Sequence, residues 1–487
     1  MNERTLSVEV VRRVEAVRRP QLIAYGVATA VAALFGVALL RIPIQLGDSF
    51  TEFLSMQGQT LSSVIRSEIA GGPYFRPLRR GLIKVLFDVS GGDFYPWFRG
   101  FHALEVLILF VLFVRMLRPR TIVDVAVVPL ALAMIAGSHL FLDIFREAFP
   151  VNHFLTIVIC AVAAVNLAQS RGGWLIDAAA VLLLVFAMTT IESGLLIWVV
   201  LVAAYVVGYR GVSRGALVAL TCVFVSYFVI RFGFLGGTMP AIGERDTGFL
   251  LADANAGEIR RLFGDSRWTL YAYNFASAVS CALFAEPRSG TFMLTRSVLM
   301  HEVAPWQVLT VATSALTTLV IFRHVATRVR TWRPFRIEED DRLVVLFLVL
   351  LPANAAFDIV YEKDVVLSVA GMFSVAAAIV ACRCLVQTSM TASGVRLALT
   401  SALVLAVACG WSMRAIGTQY RLREVAFIDR NDWAYFDQWQ KRQDTVVVQT
   451  DGEKRVWQTL HDDAIWRRAA PPLVESRFLE RWSDPEE

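Results

Sequence analysis

Charge is scarce in this chain. Asp, Glu, Lys and Arg together make up 18% of it and hydrophobic residues 56%, whereas a soluble globular protein is about a quarter charged. Mean hydropathy is +0.55, which excludes an ordinary soluble domain. Lysine is scarcer still: Lys84, Lys363, Lys441 and Lys454 are the only ones among 47 basic residues. Cysteine and histidine number six each. Cys160, Cys222, Cys382, Cys384 and Cys409 lie in or at the ends of apolar runs and Cys281 stands alone in a loop, so no disulfide framework follows. Cys382-Arg383-Cys384 lacks zinc spacing, and His102, His139, His153 and His301 are scattered near run ends. No Walker loop, dinucleotide fingerprint or Gly-x-Ser-x-Gly elbow occurs. Nucleotide-driven chemistry is therefore not expected, nor a cofactor, a metal or a nucleic-acid partner.

What the chain does have is apolar runs, many of them roughly 16 to 20 residues long, each able to span a hydrocarbon core of about 30 Å. Eleven are expected to be helical spans: residues 22–40, 101–117, 123–140, 155–167, 175–189, 195–207, 216–230, 306–321, 343–356, 365–381 and 397–413. The first is too long for a signal peptide and lacks a small-residue cleavage site, so it reads as a span. Arg12, Arg13, Arg18 and Arg19 precede it, and positive flanks stay cytoplasmic. The N-terminus is then inside. The short basic loops around Arg115–Arg120, Arg171, Arg210–Arg214, Arg323–Arg336 and Arg383 share that side. Residues 270–284 are apolar enough to be another span, but counting them would put Arg323–Arg336 outside. They are read instead as an interfacial or re-entrant helix. The expected architecture is an all-α polytopic membrane domain over residues 1–413, with long outer loops at 41–97 and 232–303, and a small extracytoplasmic tail, 414–487. The plasma membrane (the bacterial inner membrane) is the expected location, and membrane lipids are the expected surroundings.

The loop 41–97 carries most of the chemistry. Asp48 stands a few residues from a membrane exit and opens Asp48-Ser49-Phe50-Thr51-Glu52. Ser49 to Glu52 has the pattern of a capping box. One reading makes Asp48 a residue that favours a helix N-terminus, and another makes it a general base at the membrane interface. Pro77 suits the first position of a helix. Such a helix places Arg76, Arg80 and Lys84, four apart, on one face, with Leu78, Leu82, Val85 and Leu86 on another. An amphipathic helix along the membrane surface follows. Its bases either attract lipid headgroups or cradle a lipid-linked phosphate, whose oxygens suit the planar fork of arginine.

Other groups fall on the same side. Asp143 and Glu147, four apart, follow the third run with Arg146 between them. They form either a solvated, internally paired turn or a second acidic site. Arg231 ends the seventh run, and Lys363 lies between Glu362 and Asp364, holding phosphate or neutralised by them. In the tail, Thr445-Val-Val-Val-Gln-Thr-Asp451-Gly452-Glu-Lys-Arg-Val-Trp457 predicts two short strands around an Asp-Gly turn. A tail this small is expected to dock on the membrane domain.

Tyr74-Phe75-Arg76-Pro77-Leu78, followed by Phe94-Tyr95-Pro96-Trp97-Phe98-Arg99-Gly100-Phe101-His102-Ala103-Leu104, resembles a motif region of membrane glycosyltransferases of the GT-C fold, nearest to the protein O-mannosyltransferase-like branch. The layout over about 22–303 is similar too: a first span, a long outer loop opening with an acid, and a long loop after the seventh span. The resemblance implies an inverting transfer of a sugar from a polyprenyl-phosphate donor to a glycan, lipid or protein acceptor on the outer face. It implies Asp48 as general base, and Asp143 or Glu147 as a second acidic site. Bases such as Arg76, Arg80, Lys84, Arg231 or Lys363 would stabilise the leaving lipid phosphate. The alternative class is a non-enzymatic transporter, flippase or scaffold that binds a lipid-linked sugar.

Overall fold

The computed structural model describes residues 3–71, 75–146, 151–236, 256–264, 266–284, 290–359, 363–390, 394–442 and 447–467. No strand occurs among them. Helix α1 (Glu3–Leu39) leads to three helices of the first loop, α2 (Asp48–Met56), α3 (Leu61–Gly71) and α4 (Pro77–Ser90). Next come α5 (Phe94–Leu117), α6 (Ile122–Gly137), the short α7 (Leu142–Arg146), α8 (His153–Ala168) and α9 (Trp174–Met188). α10 (Leu196–Val206) and α11 (Arg214–Phe228) precede the second long loop, which holds α12 (Ala256–Phe263), α13 (Arg267–Phe284) and α14 (Gly290–Leu299). α15 (Pro305–Arg328), α16 (Arg342–Ala355), α17 (Ser368–Met390) and α18 (Gly394–Ala434) complete the bundle. α19 (Phe436–Arg442) and α20 (Asp451–Trp466) close the described chain.

Every one of the eleven apolar runs is helical. Among the described residues six helices are long and apolar enough to cross a bilayer: Arg19–Leu39, Phe94–Leu117, Arg214–Phe234, Pro305–Thr331, Asp364–Met390 and Gly394–Ala434. Ile122–Gly137 and His139–Arg146, bent by 69°, make a seventh if taken as one span. His153–Ala168, Trp174–Met188 and Glu192–Val206 are shorter apolar helices, and α16 has 14 residues. The protein is an all-α membrane protein.

The loops between these helices gather at two ends. At one end Glu339 takes Arg118 (2.8 Å) and Arg120 (2.7 Å), and Arg383 reaches Asp124 (3.2 Å) and Asp340. The Phe335 amide donates to the Val206 carbonyl at 2.8 Å. Asp341, 1% exposed, accepts from His324 (2.9 Å), Arg328 (3.0 Å) and Trp332 (2.8 Å). Burial works against its charge, yet these donors hold its pKa below the ordinary carboxylate value. The loop after α15 thus meets the loop after α5, so the segment between α11 and α15 leaves and returns at the other end. α13 hangs from that end: Asn274 donates to the Ile359 carbonyl (2.8 Å), and further along the helix Leu283 accepts from Thr318 midway along α15. α14 comes back, with Ser297 bonded to Gln307 near the start of α15 (3.0 Å). The segment expected as an interfacial or re-entrant helix, residues 270–284, lies in α13.

The bend after α6 is pinned from α18. Arg414, 1% exposed, donates to the Gly137 carbonyl (3.0 Å), Thr313 (2.9 Å) and Ser314 (2.8 Å). A helix C-terminus favours a cation there. A Cβ at Gly137 would stand 2.8 Å from the Ala415 nitrogen, so only glycine permits the crossing.

Two expectations for the tail are corrected. The boundary after Met413 falls inside α18, which continues unbroken to Ala434. The described part of the predicted hairpin is helical from Asp451 onward. Thr450 accepts from the Glu453 amide (3.2 Å) while Glu453 accepts from the Thr450 amide (2.8 Å), a capping box. Val456, Leu460 and Ala464 then repeat every four residues and are buried, a helical period rather than an alternation. The tail docks on the membrane domain: Leu422, Val425 and Ala426 of α18 pack into the bundle core. It also shares a second hydrophobic core with the first loop, in which Phe50, Phe53, Ile83 and Phe98 meet Trp433, Phe436 and Leu460.

Candidate functional site

The site grows from the first loop. Gly47, at φ 86°, turns the chain into α2. The capping box expected at Ser49 does not form; the helix already begins at Asp48, and Ser49 is buried. Phe50, Phe53 and Leu54 bury one face of α2 in the second core. The other face carries Asp48 and, one turn on, Glu52. Glu52 meets Arg79 of α4 at 2.7 Å and Arg80 at 3.8 Å, and Arg80 also meets Glu68 of α3 at 3.4 Å.

α4 therefore does not lie as a surface helix with its bases toward headgroups. Arg76 is the residue before the helix; Arg79 and Lys84 are buried, and Arg80 is half-buried. The exposed positions include apolar Leu78, Val85 and Val89. Polar groups turn inward because acids await them there, while these apolar residues stay exposed beside Asp88.

The second half of the site comes from α9 and α11. The Leu78 amide donates to the Thr189 carbonyl at the end of α9 (3.2 Å), tying α4 to the bundle. The 3-10 turn Glu192–Leu195 then folds back on α9 so closely that a Cβ at Gly194 would meet the Ala187 backbone at 2.2 Å. That fold directs Glu192 toward the loop. One of its oxygens takes Arg76 through Nε (3.1 Å) and Nη2 (2.6 Å), and the other lies 3.3 Å from Arg231. Arg231 sits in the π-helical end of α11, Val229–Phe234, and donates to the Tyr227 hydroxyl at 3.1 Å. Such widened turns recur at functional sites.

Arg76 and Arg79 act electrostatically on one another. Both, with Lys363, act on the buried ring of His153. The two halves are one cluster of four guanidiniums and three carboxylates. Burial outweighs pairing on both sides of the Glu52–Arg79 contact: it raises the Glu52 pKa against the pull of Arg79 and Arg80, and it lowers that of Arg79. A pair in that condition adds little stability. Several buried atoms here make no hydrogen bond: Glu52 Oε2, Arg80 Nε, Glu192 Oε1, Ser193 Oγ and Arg231 Nε. Buried polar groups are usually satisfied; of these, Arg80 Nε still lies 3.4 Å from Glu68 and Glu192 Oε1 3.3 Å from Arg231.

The structure brings together some of the expected residues and not others. Arg76, Arg80 and Arg231 are in the cluster, each already holding a carboxylate, and Lys363 acts electrostatically on His153, as Arg76 and Arg79 do. Lys84 is outside it, paired with Asp88 and 5.3 Å from the Phe87 ring centroid. Asp48 is exposed and makes no ion pair among the described residues. Four-residue spacing nevertheless places it about 6 Å from Glu52. Asp143 is half-buried at the same end; its carbonyl accepts from Asn152, the neighbour of His153, at 3.3 Å. Glu147 and Glu362 lie outside the described residues.

Sequence reasoning missed Glu52, Arg79, Glu192 and Tyr227 as members of the site. Glu192 had a signal, since an acid at the end of an apolar run is costly unless paired. Its partner Arg76 is 116 residues away, and nothing local joins them. Among the described residues no group of His, Cys, Asp and Glu could hold a metal ion. Comparison of the chain with family models, with curated proteins and with solved structures finds no match.

Proposed function

We propose that this protein is a GT-C-type glycosyltransferase that moves a sugar from a polyprenyl-phosphate donor to an acceptor hydroxyl at the outer face of the plasma membrane. Eleven crossings with the N-terminus inside would place the cluster of Arg76, Arg79, Arg80 and Arg231 at that face. The observation that carries the reading is this convergence beside a membrane end, under a helix that also presents Asp48. In the reaction the bond from the anomeric carbon to the donor phosphate breaks, and a bond to the acceptor oxygen forms. The acceptor proton passes to Asp48. The lipid phosphate gains a negative charge as it leaves, which four guanidiniums facing three carboxylates can stabilise without a general acid. Asp143 would orient the acceptor or the sugar.

One observation favours the alternative, a non-enzymatic binder of lipid-linked sugar. Each arginine of the cluster already holds an acid, so a phosphate must share or displace it. The purified protein and its Asp48→Asn variant, given labelled polyprenyl-phosphate sugars and candidate acceptors, separate the two. Transfer that falls about 10²- to 10⁴-fold in the variant, with donor binding kept, fits a lost general base. Undiminished turnover removes Asp48 from that role. Donor binding without transfer or hydrolysis across the donor panel establishes the binder instead.

A further inference from the structure

We propose that Trp433, in the C-terminal segment, is the positioning residue for the first-loop helix that presents Asp48 and Glu52, an inference that deepens the transferase reading and rests on it. Trp433 is the largest of the fully buried side chains. Its indole Nε1 donates to the Ile44 carbonyl at 2.6 Å, four residues before Asp48. Its ring meets Phe50, two residues after Asp48, edge-on at 5.3 Å. One side chain therefore touches the chain on both sides of Asp48, the Ile44 backbone before it and the Phe50 ring after it.

The rest of the segment encloses α2 further. Phe436 stacks on Trp433 (6.2 Å) and packs edge-on against Phe50 (5.7 Å), with Trp439 at 6.2 Å from the same ring. Beyond the far end of α2, Gln57 lies against Gly452 near the start of α20. Arg467 donates to the Leu40 carbonyl at 3.3 Å, just ahead of the loop. These contacts reach α2 before, within and after its helical residues.

The anchor is rigid because α18 is continuous. Arg414 fixes that helix to the bundle, and Trp433 lies 19 positions further along, ~28 Å at 1.5 Å per residue. α2 itself is short, nine residues, and would be marginal alone. α4 and Glu192 have their own tie to the bundle through the Thr189 carbonyl. Loosening Trp433 should therefore move the carboxylates of α2 and leave the Arg76–Glu192–Arg231 group in place.

The test compares wild type, Trp433→Phe and Trp433→Ala as full chains. Phenylalanine keeps an aromatic ring but removes the donor to Ile44, whose carbonyl is then buried without that bond. Amide hydrogen exchange over 44–54 should rise about tenfold or more in Trp433→Phe, the factor given by one lost buried hydrogen bond. Exchange over 153–168 should not change. In the transfer assay kcat should fall at least as much, with the donor KM within about twofold, and Trp433→Phe should keep more activity than Trp433→Ala. Unchanged protection at 44–54 in Trp433→Phe overturns the anchor. Equal loss of protection throughout the bundle also overturns it, because Trp433 then supports the whole fold. A wild-type protein that transfers nothing removes the transferase reading, while the exchange result still decides the anchor.

Discussion

Replacing Glu192 by Gln should strengthen phosphate binding while weakening the fold. Glu192 holds two guanidiniums at once, Arg76 at 2.6 Å and Arg231 at 3.3 Å, with side-chain exposures of 17% for the acid and 21% and 13% for the bases. Neutralising one partner of a deeply buried pair costs about 3–5 kcal/mol. Residual solvent contact here should reduce that to about 2–3 kcal/mol. The released guanidiniums become available to an anion. One additional charge-assisted hydrogen bond contributes about 1.5–3 kcal/mol, equivalent to about 10- to 100-fold in Kd. A short-chain prenyl phosphate, titrated into wild type and Glu192→Gln in nanodiscs, measures the affinity, and thermal unfolding of the same samples measures the fold. Glu192→Gln combined with Arg76→Ala should lose the affinity gain. If Glu192→Gln destabilises the protein but leaves prenyl phosphate binding unchanged or weaker, the ion pair is structural and the arginines are not a phosphate cradle.

The Glu52 carboxyl has a folded-state pKa above its ordinary 4.5, so the unfolded chain loses this proton first as pH rises. Its contribution to stability is then complete below about 4.5 and is lost as pH climbs through the folded value. Glu52→Gln should flatten the pH dependence of thermal unfolding above 4.5, and an unchanged profile would contradict the assignment. Asp341→Asn removes the acid shared by His324 and Arg328 at a site 1% exposed and leaves Arg328 only Glu338, at a cost of about 2–3 kcal/mol once the solvent contact of Arg328 is allowed for. It should lower thermal stability while the folded fraction keeps the wild-type kcat, since Asp341 lies at the end opposite the cluster.

Much of the bundle was legible because apolar run length and charge placement are one-dimensional signals. Each expected run is helical, and residues 270–284, read from charge placement as an interfacial or re-entrant helix, lie in α13 between the ends of α11 and α15. Local ambiguity produced the errors. Val446-Val447-Val448 ahead of Asp451-Gly452 resembles a strand and turn, yet the Thr450–Glu453 box starts a helix and the apolar period of four continues it. Ser49 and Glu52 matched the same motif, but there Glu52 found two arginines and Ser49 was buried. The face of α4 was found by spacing, and its direction was not. Spacing says which residues lie together, while partners elsewhere decide whether that face turns toward solvent, lipid or protein.

A bundle of apolar helices, with basic short loops and a long first loop rich in arginine, can be read along the chain alone, because burial of apolar runs and the cost of charge in lipid act residue by residue. Which acid each arginine meets, and the completion of the first-loop core by the C-terminal segment, follow from packing in three dimensions. Those outcomes depend on contacts between residues 116 positions apart, as in Arg76 and Glu192, and 389 apart, as in Ile44 and Trp433. Such pairings are set by how whole helices pack, and no local pattern encodes them.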